Sequence, residues 1–592
     1  MKALNSRTLL GMLLGTLLVL LACAPSAQPA AAPAPAAPAA PAAAPAPAKP
    51  AAPMVAEKPK RGGTWKVAGE LPFTPPTLDQ ARGGGAASGL LRNIVSCRLV
   101  MWDERPDRPG SNEVVIPDLA ERWENSADGK VWTFYLRKGV LLPPPSNREV
   151  TAEDWLKSEL RRIAVVPRGG MGSSIPAMYT DPVTGKFDYK KPNIEVLDTH
   201  TVRVTLSEPD ADFLSVIGGH SGTALFFPEF YGPHKDGWGE QTKAEHFKGC
   251  GPFMMSEYVP GANLTYVRNP NYYDKELPYV DKVEHPFIFD PLVAAAALRA
   301  GELDSWGMGI ILPLSVGRDL EKVPGLKVTW SAGATIWPYH FDLNRPPWND
   351  VRVRRAFALS IDRKSWINKL YFGRGQNIVL MEPRHLPWNL PPEKMGEAGR
   401  YYTAYDPEEA KRLLKEAGYP NGFSFEFQHT NAAAHVTAYP MNELVKSYLE
   451  AIGVTMNINI IDRGATGTLD PPTGGIRASG LWRPEFGTYV HSIIHYQGKQ
   501  WPSGAKHPFV TAFETDPEYR RAVALMEEQK RTVDVKKRLE LVHELQRVWA
   551  QGIWHWNFPI PDSPIVNRER VRGYNTVGGW SGGSMKYVWL AE

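Results

Sequence analysis

The densest set of chemically capable residues lies between positions 482 and 501. Trp482, Glu485, Tyr489 and His491 form a polar and aromatic cluster. It follows a strand-like stretch at 474–481 and precedes Gln500-Trp501-Pro502-Ser503-Gly504. Indole faces pack on flat or apolar ligand surface, and a neighbouring carboxylate holds a cationic group. The cluster therefore reads as a ligand-facing loop, with Trp482 and Trp501 as walls and Glu485 as anchor. The same pattern also suits a surface loop with buried aromatics. His491 and His495 have the i, i+4 spacing of a helical metal pair, but the Glu of a zinc protease and a third ligand are both missing, so no metal is assigned. Trp554-His555-Trp556-Asn557 fits two readings, a ligand-lining segment or a strand core. Arg352, Arg354 and Arg355 read as a solvated helix face with some buried stems rather than an anion site. The sequence contains no phosphate loop and no convincing zinc set, so it offers no catalytic residue and implies no cofactor.

The elements that position these groups follow an unusual leader. Lys2 and Arg7 precede an apolar run, Leu9 to Leu21, of signal-peptide length. The run ends Leu20-Leu21-Ala22-Cys23, which resembles the bacterial lipobox, where cleavage precedes a cysteine that then takes lipid. Residues 1–22 are expected to be a lipoprotein signal peptide, with Cys23 lipidated. Residues 24–56 are almost only Ala and Pro. Such a stretch cannot form a core and favours extended polyproline II. At about 3.1 Å per residue it could reach roughly 100 Å. The expectation is a folded body outside the cytoplasm, tethered to a membrane by a semi-rigid linker over 23–56.

About 535 residues follow, enough for two or more domains. Hydrophobic content of 43% and charged content of 22% are ordinary for a globular chain. No later apolar run is long enough to cross a membrane. The net charge of +4 is small, with both signs interleaved, which argues against nucleic-acid binding. Besides Cys23 there are only Cys97 and Cys250. An exported chain permits a disulfide between them, but spacing alone leaves their pairing open. The chain carries 19 Trp, 22 Tyr and 21 Phe, enough both to fill cores and to line a ligand groove.

Alternation predicts strands at 64–68, 131–136, 199–207, 264–268, 423–427 and 456–461. Ala127-Asp128-Gly129-Lys130 predicts a hairpin turn. Thr151 followed by Asp154 predicts a capped helix start. Helices are predicted at 291–300 closed by Gly301, at 350–371 opened by Asp350, at 406–418, at 440–452, and over 516–550. Strands alternating with helices indicate an α/β chain.

Several of these segments occur in a recognisable order. They are Ile116-Pro117-Asp118-Leu119-Ala120-Glu121-Arg122-Trp123 with its hairpin to Val140, Thr151-Ala152-Glu153-Asp154, Gly251-Pro252-Phe253, and Arg268-Asn269-Pro270-Asn271-Tyr272-Tyr273. Then come Phe341-Asp342-Leu343-Asn344, Asp350 to Ala356, Ser360-Ile361-Asp362-Arg363 and Asp406-Pro407-Glu408-Glu409-Ala410. The set resembles the solute-binding proteins of ABC importers, in the family-5 group of oligopeptide, dipeptide and nickel binders. It covers roughly residues 62 to 575.

The resemblance implies a two-lobed α/β fold of the periplasmic-binding-protein type (type II, family-5 style), with an extra subdomain in the first lobe. Transferred here, lobe I is 57–90, 195–325 and 565–592, its subdomain 91–194, and lobe II 326–564. It implies a monomer that captures a small solute between the lobes and delivers it to an ABC permease and ATPase complex. Peptide is the leading ligand and an oligosaccharide the alternative; a lipid-anchored hydrolase is a remote third reading. Tyr339 and Asn344 fall on a strand that lies by the cleft in this family, and Trp554 and Trp556 fall near the return hinge. Peptide binders of the family share a Trp-x-x-Asp whose carboxylate holds the peptide ammonium. The matching place here is Trp482-Arg483-Pro484-Glu485, where Glu485 stands on a longer arm and Arg483 is close enough in sequence to compete for it.

Overall fold

A chain of alternating strands and helices must stack its sheets under helical layers. A computed structural model describes residues 57–69, 78, 94–106, 114–165, 178, 192–219, 225, 227–230, 243–307, 312–331, 338–381, 383, 387–430, 439–461, 476–478, 515–574 and 582–591. Cys23 and the 1–56 leader lie outside these, as do Trp482, Glu485, Tyr489, His491, His495 and Trp501.

Among the described residues three sheets organise the fold. The first has seven strands in the order 326–331, 563–568, 305–306, 64–68, 282–286, 263–268 and 253–259. The second has five, in the order 454–461, 423–430, 476–478, 338–341 and 555–557. The third has four, in the order 120–125, 131–136, 201–205 and 194–198. Each sheet has its own apolar core. Trp65, Phe253 and Val283 belong to that of the first, Trp348, Phe357 and Trp556 to that of the second, and Phe134, Trp155 and Val202 to that of the third.

Strand membership shifts the expected domain limits. Leu326–Ser331 pairs with Ser563–Arg568 in the seven-stranded sheet. Ile194–Asp198 and Thr201–Thr205 pair in the four-stranded sheet rather than in the first. In both places ladder partners far away in sequence decide membership.

Local chemistry accounts for the helix ends. Pro291–Ala300 is capped by the Asp290 carboxylate, which accepts from Leu292 N and Val293 N. It closes at Gly301, whose φ of 85° suits glycine. The predicted 350–371 helix is two helices, Val351–Ser360 and Arg363–Tyr371. Ile361 is extended, and the Asp362 carboxylate accepts from Ser365 N, starting a new helix after a sharp corner. The 516–550 region likewise splits into Pro517–Arg531 and Val535–Gly552, each opened by an aspartate cap, Asp516 and Asp534.

At the start of Ala152–Val165 the Asp154 carboxylate accepts from Thr151 N at 2.8 Å and from the Thr151 hydroxyl at 3.2 Å. Arg148 adds two bonds to it, at 2.9 and 2.8 Å. Asp154→Ala is expected to cost about 2 kcal/mol through loss of the cap and of a charged acceptor. A denaturant midpoint equal to wild type would refute that assignment.

Cys97 and Cys250 form a disulfide with Cα atoms 5.2 Å apart, so the pairing left open by spacing is present. The glycines beside Cys250 have a steric reason. A Cβ on Gly249 or Gly251 would lie 2.6 Å from the backbone at Val95. The two backbone segments can approach this closely only where side chains are absent.

Candidate functional site

Strand direction locates the site. In the first sheet 64–68 runs parallel to both 282–286 and 305–306, and 563–568 runs antiparallel to both 305–306 and 326–331. The carboxyl ends Ala68, Trp306 and Ser331 therefore share one edge, where Ser563 begins the return strand. In the second sheet 423–430 is parallel to 454–461 and to 476–478, while 338–341 is antiparallel to 476–478 and to 555–557. Thr430, Ile461, Ala478 and Asn557 thus end at one edge, where Pro338 begins. The chain passes between these two edges twice, from Ser331 to Pro338 and from Asn557 to Ser563. Ligands bind at the carboxyl edges of such α/β sheets, so the crevice region beside the two crossings is the candidate site.

Several groups hold the described crossing in place. Gly375–Gln376 pairs with Ile560–Pro561, and the Tyr371 hydroxyl donates to Pro559 O at 3.1 Å. Asp562 N donates to Arg374 O at 3.1 Å. Beside it, Arg374 lies 4.4 Å from the Trp330 ring centroid and pairs with Glu321 at 3.2 Å. Trp330 also donates its indole N–H to Glu321. Burial raises the Asp562 carboxyl above the usual range, against the opposing pull of Arg374. On the first sheet, Gly69 leaves its strand with φ of 80°, and a Cβ there would meet the Trp306 ring at 2.5 Å. Only glycine lets the chain turn off the sheet against this indole.

These groups brace the crossing. Among the described residues no group of three or more His, Cys, Asp or Glu could hold a metal.

The family matches agree with this architecture. The model for bacterial extracellular solute-binding proteins, family 5 (middle region), matches residues 114–482. The chain belongs to this family. Its fold is the family's two-lobed type II fold. This family-5 chain is 29% identical over 396 residues to heme-binding protein A of Haemophilus influenzae, covering 65% of this chain and 68% of that one. It is 32% identical over 367 residues to di/tripeptide-binding protein 2 of Pseudomonas aeruginosa, covering 60% and 65%. It is 28% identical over 374 residues to the dipeptide-binding protein of Escherichia coli, covering 59% and 64%. The matched stretches span close to two thirds of those relatives, not their whole length. Among solved structures, the Helicobacter pylori periplasmic binding protein DppA superposes with TM-score 0.65 at 22% identity, over 90% of this chain and 99% of that one. The Bacillus subtilis oligopeptide-binding protein AppA superposes with TM-score 0.65 at 19% identity, over 90% and 100%.

Within this family-5 fold the described candidates do not gather at the crevice. Tyr339 is fully buried; its hydroxyl donates to Asn442 Oδ1 at 2.7 Å and its ring packs on Phe427 and Phe558. Trp556 is fully buried against Phe357 and Phe558. Trp554 is buried and donates to Asp516 Oδ2 at 2.8 Å. Asn344 is half-buried in a turn beyond the far end of its strand, with its N–H on Asp342 Oδ1 at 3.1 Å. The three aromatics lie in the second core, and Asn344 lies in a turn. Arg354 is buried too, donating to Gly552 O and Trp348 O, so the basic run is partly a core brace.

Sequence reading missed Glu321, Trp330, Arg374 and Asp562. They come from four separate segments, and none carries a motif.

Proposed function

We propose that this chain is the extracytoplasmic binding lipoprotein of an ABC importer, capturing a peptide in the crevice between its two sheets and handing it to the permease. The observation that carries this reading is that both carboxyl edges face the two crossings, within a chain of the family-5 solute-binding type. The names of the Pseudomonas aeruginosa and Escherichia coli relatives, and the peptide in the Helicobacter pylori structure, support peptide over saccharide. Closure follows from ligand contacts to both lobes, which favour the shut form. A peptide in such a crevice satisfies its backbone on strand edges and places its side chains in tolerant pockets.

The anchor in this reading is Glu485, and Trp482, Tyr489 and Trp501 are its proposed aromatic ligand contacts. In sequence they follow Ile476–Ala478, a strand whose carboxyl end is on the crevice edge. A desolvated ammonium needs a paired carboxylate. In the same reading Cys23 carries lipid, and the Ala/Pro linker keeps a monomeric body near its transporter, raising its local concentration there.

Calorimetric titration of the purified protein with Ala-Phe, Ala-Ala-Ala, maltotriose and hemin tests this. Saturable one-to-one binding is expected with at least one peptide and none with maltotriose. Glu485→Gln is expected to weaken peptide binding by at least about tenfold, the effect of removing one charged partner. Binding of maltotriose or hemin without either peptide would overturn the peptide reading.

A further inference from the structure

The crossings hold the two bodies together beside strands 326–331 and 563–568, at one end of the seven-stranded sheet. At the other end the four-stranded body is fastened to that sheet. The Cys97–Cys250 disulfide, Gly251 N on Val95 O, and the Tyr273 hydroxyl on Asp118 Oδ1 at 2.8 Å make this a firm junction. The four-stranded body is therefore joined to the first sheet, and it also touches the second body.

That contact carries a set of hydrogen bonds and ion pairs. The loop after strand 201–205 meets helices Pro517–Arg531 and Val535–Gly552. Ala211 N donates to Lys530 O at 2.8 Å. Glu208 accepts from Lys530 Nζ and from Arg531 Nε, each at 3.2 Å. Arg538 donates to Asp212 and, at 3.4 Å, to Ala211 O. The side chains of Arg538 and Asp212 are only 9% and 8% exposed. Burial lowers the affinity of the Lys530 amine for its proton, but Asp210 and Glu208 outweigh this and hold it charged. Neither apolar core spans the junction: one runs from Cys97 to Cys250, the other from Tyr339 to Ile560.

We propose that Glu208, Asp212, Lys530, Arg531 and Arg538 form a clasp that holds the crevice shut and parts when it opens. This rests on the reading that the two lobes close on a solute. A hydrophobic seam would resist separation, because parting it exposes apolar area to water. A charged seam separates more readily, since water solvates each half. In the contact as it stands each of these five side chains has an oppositely charged partner. Removing one partner leaves the other buried and unpaired only in the shut form, which shifts the population toward open.

The test uses ligand-free full chain carrying Glu208→Gln, Asp212→Asn or Arg538→Gln. Hydrogen exchange is followed at the Ala211 amide and the overall size by small-angle X-ray scattering. Each variant is expected to speed Ala211 exchange by at least about tenfold and to enlarge the radius of gyration. Exchange within Val542–Ala550 should stay as in wild type, which shows that the fold is intact. Glu208→Gln is the mild variant, because Glu208 is half-exposed. If exchange and size do not move together in Glu208→Gln, the clasp is overturned. Peptide titration is a separate measurement: failure to bind any peptide would sink the proposed function and leave this result standing.

Discussion

Trp556→Ala is expected to lower the unfolding free energy by about 3–5 kcal/mol, the usual cost of removing a large buried aromatic, while the folded fraction keeps its affinity for peptide. The indole is fully buried. Its ring lies 5.4 Å from Phe357, 5.4 Å from Phe558 and 6.0 Å from Tyr339, and the Arg363 guanidinium sits 5.1 Å from its centroid. Truncation opens a cavity among rings that cannot collapse into it, and takes a flat face from a guanidinium already buried. Guanidinium chloride unfolding measures the loss, and calorimetry at a temperature where the variant is still folded measures affinity. A variant of wild-type stability with weakened binding would return Trp556 to the cleft.

The second large effect is expected from Cys97→Ser with Cys250→Ser. The bond joins residues 153 apart in sequence, and both sulfurs are buried. Closing a loop of this length restricts the unfolded chain by up to about 5 kcal/mol on the chain-entropy account. The loss should appear as a lower denaturant midpoint, reproduced in the wild type by adding a reductant during unfolding. Equal midpoints for the double variant and the oxidised wild type would show that the bond contributes nothing. This staple also seats the four-stranded body on the first sheet, so Ala211 exchange should rise in the same variant.

Much of the fold was legible because its signals are local. Asp290, Pro291 and Gly301 delimit one helix by side-chain capping and a left-handed residue, both of which depend on adjacent positions. Asp406 does the same for Pro407–Glu416, where its carboxylate accepts from Glu409 N. The corner at Ile361 was not legible. Residues 350–371 hold a continuous helical pattern, but Leu359 O accepts from Asp406 N, a partner 47 positions away that the local pattern does not contain. The same limit applies to the aromatics. Tyr339, Trp554 and Trp556 have the residue types of a ligand wall, yet the face of the sheet on which a strand residue lies depends on register and on what packs there.

By itself the sequence determined the α/β class, the order of the elements and the family, since these rest on periodicity, capping residues and ordered motifs. Tertiary structure decided which strands share a sheet, that Cys97 meets Cys250, that Tyr339, Trp554 and Trp556 are buried in the second core, and that Glu321, Arg374 and Asp562 meet at the crossing. The physical reason is range. Capping and alternation act over a few residues, whereas ladder pairing, core filling and ion pairing join residues separated by tens to hundreds of positions, and only folding brings them within contact distance.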